Sequence, residues 1–295
     1  MATVALNVPY GGIFTPPAVE KRLGLTREEL GWENFRLADP LLLSVVDAAA
    51  RARPLPSALG EKTFKPKPLL SYAFSPLVSD PLGFLAADLA GERENAPGPR
   101  FIRQGTLGKT FPEWSPAEAE LIEKKSSRPY LDAIRDKCQS LLETESLVLL
   151  LTARSYPSKP WNHETERRYP RPQASVGAWD ERHSPPGLLS FIGRTLRAFN
   201  LWPELNWPRQ GAYLPPELGD SPRLLAASLS FRRDLFMDEN SGRANASSQS
   251  LARVLRNVLV LLEDELEEVI RIRHRRRNPP KPPSMVIKAG QGAPA

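Results

Sequence analysis

Apolar positions along this chain follow two rhythms. Short aliphatic runs recur at "TVALNVP" (3–9), "LLSYAFSPLV" (69–78), "SLVLLLTA" (146–153), "PQASVGA" (172–178), "PELNWP" (203–208) and "RLLAASLSFRRDLF" (223–236). Each has the length and aliphatic content of a strand. The run at 146–153 is apolar at nearly every position, the pattern of a strand buried on both faces. Longer stretches near 26–51, 115–143, 186–200 and 247–275 carry helical spacing. Before the third lie Ser184, Pro185 and Pro186, so Ser184 is expected to cap it with a proline in the first turn. In the fourth, Leu251, Val254, Leu255, Val258, Leu262 and Leu266 fall on one stripe, expected to pack in the core.

Strands alternating with helices predict an α/β fold: a single domain over residues 1–270, built on a mixed sheet flanked by helices. A basic, Pro-rich tail is expected over 271–295. The Pro-rich stretches 52–68 and 93–101 read as excursions from the sheet. Ligands in open sheets gather beyond the carboxyl ends of the strands. That directs attention to "NVPYGG", "FSPLVSDP", "LLLTARSYP", "SVGAWDERH" and "LNWPRQGAY".

Composition narrows the classes. The chain has 295 residues with an ordinary hydrophobic share of 41%, enough for a sizeable core. No apolar run reaches membrane-spanning length, and "MATVALNVPYGG" lacks a secretory pattern, so a cytoplasmic location is expected. A single cysteine, Cys138, excludes an internal disulfide and sits on a helical pattern, where packing is its expected role. The net charge of +6 comes from "RIRHRRRNPPKPP" (271–283); the remainder is close to neutral. Such a run suits nucleic acid, an anionic surface or an acidic partner, or else a solvated end, and no nucleic-acid-binding motif accompanies it.

Tested singly, the motifs fall short. "RQGTLGKT" (103–110) ends in Gly-Lys-Thr, but Arg103 stands where a phosphate loop needs glycine. His163, His183 and His274 are the only histidines, too few and too scattered for an ordinary zinc site. Asp180, Glu181 and His183 in "DERH" are the one cluster of acid, base and imidazole, and they are the candidate catalytic residues; a salt-bridged surface loop is the alternative. No Gly-x-Ser-x-Gly turn occurs.

The order of segments resembles the N-formylglutamate amidohydrolase family, zinc-dependent hydrolases whose fold is similar to that of zinc carboxypeptidases. "NVPYGGIF" looks like the family's Pro-His-x-Gly turn with Tyr10 replacing the zinc-binding histidine. "FSPLVSDPLG" is similar to Ser-Arg-Leu-Val-x-Asp-x-Asn-Arg, keeping Ser75, Leu77, Val78 and Asp80. Pro129, Tyr130 and Leu131 stand for Pro-Tyr-His. "TARSYP" stands for Asp-Cys-His-Ser-x-Pro, with Thr152 for the acid and Arg154 for a second histidine. "SVGAWDERHSP" keeps Asp180, His183 and Pro185 of the Gly-Thr-Asp-x-x-His-Thr-Pro run. "LNWPRQGAYLP" keeps Asn206, Pro208, Gly211 and Ala212 of Asn-x-Pro-x-x-Gly-Ala. "SLSFRRDLFMDE" keeps Arg233, Leu235 and Met237, with Ser230 for a glutamate.

The resemblance implies a hydrolase frame whose zinc-holding positions are replaced, so no metal or other cofactor is expected. A guanidinium stays protonated and has no lone pair for a metal. The leading expectation is a non-hydrolytic binder of a small carboxylate or of a protein partner. Tyr10, Arg154, Ser155, Asn206, Gly211 and Arg233 would form the ligand-binding set, unless Arg154 serves as an ion-pair partner of Asp80. Two alternatives stand beside it. One is a hydrolase of N-acyl amino acids working through Asp180, Glu181 and His183. The other is a scaffold using the helix at 247–275 and the basic tail to hold an acidic partner.

Overall fold

The computed structural model describes residues 2–51, 68–90, 98–161, 164 and 168–277. Six strands form one sheet: β1 (Ala2–Val8), β2 (Leu69–Ser71), β3 (Leu147–Tyr156), β4 (Ala174–Gly177), β5 (Pro203–Leu205) and β6 (Leu224–Arg232). Their order is β2-β1-β3-β6-β4-β5. β2, β1, β3 and β6 run parallel, β4 pairs antiparallel with β6, and β5 follows β4 in parallel. The expected α/β class and mixed sheet are both present. β3 is central because all ten of its positions can be buried, and they are. Its side chains alternate between the two faces, so Leu149 and Leu151 enter one core while Val148 and Leu150 enter the other.

Eight helices flank the sheet among the described residues: α1 (Pro17–Leu23), α2 (Arg27–Leu37), α3 (Pro40–Arg51), α4 (Phe84–Ala90), α5 (Pro116–Lys125), α6 (Ser127–Thr144), α7 (Pro186–Ala198) and α8 (Ser248–Arg277). One core lies under α3, α7 and α8; the other lies under α1, α2, α4 and α6. The α8 stripe behaves as expected: Leu251, Leu255, Val258, Leu262 and Leu266 are buried in the first core. No helix among the described residues is long and apolar enough to cross a membrane.

Several boundaries differ from the sequence pattern. The stretch 26–51 is two helices, because Pro40 biases Asp39 away from helical dihedrals and Ala38 is already extended at ψ 160°. Thr26 and Glu29 form a reciprocal cap at the start of α2. The stretch 115–143 divides at Ser126, which ends α5 and opens α6. The strand expected at 69–78 lasts three residues before the chain turns at 76–78. Ser184 does not cap α7. Its hydroxyl donates to the Ala226 carbonyl (2.6 Å) and accepts from the Trp179 amide (2.8 Å), so Pro185 takes the cap position. α8 runs from Ser248 to Arg277, close to the helical stretch expected at 247–275, and residues 278–295 lie outside the described residues. So do nearly all of 52–68 and 93–97 of the second excursion.

Candidate functional site

At the carboxyl ends of β1, β3 and β6, on the α4/α6 face, the apolar lining gives way to buried polar side chains. Two register rows hold them. Asn7, Thr152 and Ser228 form the first; Arg154, Ser230 and Ser175 form the second. All six are buried. Asn7 donates to Thr152 Oγ1 (3.3 Å) and accepts from the Tyr130 hydroxyl of α6. This interruption of three aliphatic strands at one level is what sets the ledge apart from the rest of the core.

Arg154 is its sole charge. Only 2% of the side chain is exposed. Nη2 lies 2.6 Å from the Gln210 carbonyl, and 3.3 Å from both the Gly211 carbonyl and Ser228 Oγ. The guanidinium also stacks 4.0 Å over the Phe84 ring. Among the described residues no carboxylate pairs with it, so the alternative of an Arg154–Asp80 ion pair does not hold. Arg154 Nε and the neighbouring Ser230 Oγ are buried without hydrogen-bond partners.

Asp80 is instead held by its own loop. It accepts from the amides of Leu82, Gly83 and Ala86, and from the Tyr10 hydroxyl at 3.2 Å. Burial pushes its carboxyl up to about 6 despite those donors. Tyr10 and Arg154 therefore reach the same 80–84 segment from β1 and β3. Gly12, two residues beyond Tyr10, keeps that turn close: an added Cβ there would lie 2.0 Å from the Ala73 carbonyl.

Ser155 and Arg233, expected beside Arg154, lie on the opposite face of β3. Asp39 accepts from the Ser155 amide (3.0 Å) and hydroxyl, and from Arg233 Nη2 (2.9 Å). Arg233 also donates to Ser155 Oγ (2.8 Å) and to the Phe35 and Ala38 carbonyls at the end of α2. This network fixes the α2–α3 corner to the sheet. Asn206 and Gly211 belong to the segment covering the ledge. Asn206, at φ 53°, accepts from the Ala178 amide (2.9 Å), and Gly211, at φ 79°, offers its carbonyl to Ser228 Oγ (2.6 Å).

Asp180, Glu181 and His183 sit elsewhere. Because β4 runs against β6, its carboxyl end points toward the amino end of the parallel strands. The His183 carbonyl bonds the Ala226 amide (2.9 Å), four residues from Ser230 along β6, or about 13 Å at strand rise. The His183 ring is engaged at both nitrogens: Nδ1 faces the Asp180 carboxylate (3.0 Å) and Nε2 faces the Gly219 carbonyl (2.9 Å). Burial pushes the Asp180 carboxyl up, but hydrogen bonds from the His183 amide and ring outweigh it and hold the group below its ordinary value. Glu181 is exposed in the same turn.

Sequence reasoning missed Asp39, although an Asp-Pro step between two helical patterns is a recognised helix-start signal. It also passed over Asn7, the one polar residue inside the β1 run. Among the described residues, no three of His, Cys, Asp and Glu gather as metal ligands. The described donors of the ledge are thus hydroxyls, an amide and a guanidinium, a set that does not suit zinc.

The family model for N-formylglutamate amidohydrolase matches residues 2–237. A crystal structure of N-formylglutamate amidohydrolase from Ralstonia eutropha JMP134 superposes with a TM-score of 0.62 at 20% identity, covering 90% of this chain and 94% of that one. A gene product from Agrobacterium tumefaciens superposes with a TM-score of 0.61 at 17% identity, covering 90% and 91%. No curated protein matches the sequence. With the family match spanning most of its length on a fold shared with these structures, the chain belongs to the N-formylglutamate amidohydrolase family.

Proposed function

We propose that this chain is a zinc-free, non-hydrolytic member of its family that binds a small carboxylate at the ledge around Arg154. The observation that carries the reading is the buried Arg154 guanidinium, whose hydrogen-bonding and stacking partners are all neutral, with Nε unpartnered beside the unpartnered Ser230 hydroxyl. A buried cation without a counter-charge is costly, and arginine does not escape the cost by deprotonating. A carboxylate accepting from Nε and Ser230 Oγ supplies the missing charge. Entry requires the 206–213 segment to release Nη2 from its carbonyls.

The hydrolytic alternative draws no support from the geometry, since both His183 ring nitrogens already face acceptors and no ring lone pair is presented to a substrate or metal. A cytoplasmic location fits a binder of a small metabolite-like acid. The test uses purified full-length protein, assayed for bound zinc, for cleavage of N-formylglutamate, and for its binding by calorimetry. The expected result is substoichiometric zinc, no cleavage, and binding that Arg154→Met weakens about tenfold or more. One tightly held zinc, or turnover, would overturn the non-hydrolytic reading; undiminished binding in a folded Arg154→Met variant would remove Arg154 from it.

A further inference from the structure

A second arginine is buried on the other side of the sheet. Between the N-terminal turns of α3 and α8 lies a cavity of about 480 Å³, within the usual range for small-ligand sites. Leu41, Val45, Phe236 and Ala252 give it apolar walls. Arg256 lines it with only 6% of its surface exposed, and its Nε and Nη2 are buried without any hydrogen-bond partner. These two nitrogens are enclosed by protein, which leaves Nη1 as the guanidinium nitrogen open to the cavity, a donor suited to an anion.

No aspartate or glutamate lines the cavity, and Arg253 adds a second positive charge. The acids on the two helices whose partners are resolved are turned elsewhere. Asp47 accepts from Arg51 (2.7 Å), and Glu263 accepts from the Val4 amide (3.1 Å) and Thr3 hydroxyl (3.3 Å). The chain thus supplies no carboxylate to this buried cation, whose cavity is lined by apolar side chains together with Ser44, Ser248 and Gln249. A single carboxylate on a hydrocarbon chain meets the guanidinium and the apolar walls together.

We propose that this cavity binds a monocarboxylate bearing an apolar chain, with the Arg256 guanidinium as its counter-charge. The site lies on the α3/α8 face, separate from the Arg154 ledge, and does not depend on what that ledge binds.

The test titrates octanoate, acetate and octylammonium by calorimetry into full-length protein carrying Arg154→Met, which removes the ledge's cation. Octanoate is expected to bind saturably at one site. Acetate, lacking the chain, and octylammonium, carrying the opposite charge, are expected to bind about tenfold more weakly or worse. Arg256→Met is expected to weaken octanoate binding by a similar factor. Ala48→Phe places bulk at the exposed lip of the cavity without touching Arg256, and is expected to weaken octanoate binding even if the arginine variant fails to fold. Absence of saturable octanoate binding, equal binding of octylammonium, or undiminished octanoate binding in a folded variant of either kind would overturn the proposal.

Discussion

Asp80 shows how much one residue's surroundings decide. Four donors converge on its carboxylate, an arrangement that favours the ionised form, yet complete burial prevails and raises the group from 3.8 to about 6. The native state therefore holds this proton over a range where the unfolded chain has released it. By linkage, the Asp80 contribution is fully present below about pH 4, declines as pH rises through the native value near 6, and is flat above it, a loss on the order of 3 kcal/mol. Other carboxyls, Asp180 among them, are held below their ordinary values and act in the opposite direction. Asp80→Asn isolates the effect, because asparagine has no proton to lose. Denaturant unfolding at pH 4 and pH 7 should show the variant gaining relative to the parent as pH rises. Parallel pH profiles for the two proteins would show that Asp80 is not the group responsible.

Among the elements, the 104–110 turn carries the clearest lesson. Its Gly-Lys-Thr ending suggested a phosphate cradle, and its backbone amides do gather around an anion, but that anion belongs to the chain. The fully buried Glu33 of α2 accepts from the Thr106 amide (2.9 Å), the Thr106 hydroxyl (2.8 Å) and the Leu107 amide (3.1 Å). Lys109 turns outward to the Gly24 carbonyl (2.8 Å) and Glu29. Glu33→Ala should strand these donors and cost about 2–4 kcal/mol, with faster hydrogen exchange at Thr106 and Leu107. Stability and exchange both unchanged would refute that role. No local pattern at 103–110 reveals Glu33, which lies some seventy residues earlier, so the turn's purpose was beyond the reach of sequence. β1, β3 and β6 were legible because each is written in a largely apolar run. The direction of β4 was not, because a strand's alternation reads the same whichever way it pairs. That single reversal is why "DERH" ends up away from Arg154 although both follow strands. Likewise, Ser155 adjoins Arg154 in sequence, yet the two-residue period of β3 sends it to the opposite face and into the Asp39–Arg233 network.

At the scale of the molecule, the sheet joins two cores on its opposite faces. One lies under α3, α7 and α8, the other mainly under α1, α2, α4 and α6, and β3 contributes to both, with Val148 and Leu150 entering the second. Neither core is closed without the sheet, so loss of either should expose the inner face of the same strands and release the other. Two consecutive residues make this testable. Leu149 and Leu150 are both fully buried, the first in one core and the second in the other. Truncating either to alanine leaves a cavity in one layer alone, at a cost of about 2–5 kcal/mol. If the sheet makes the domain one cooperative unit, calorimetry should show a single transition in the parent and in both variants, moved down as a whole by either substitution. Two resolved transitions, with Leu149→Ala lowering one and Leu150→Ala the other, would mean the cores melt separately. In that case the ledge and the Arg256 cavity, on opposite faces of the sheet, would sit on independently stable layers instead of on one shared scaffold.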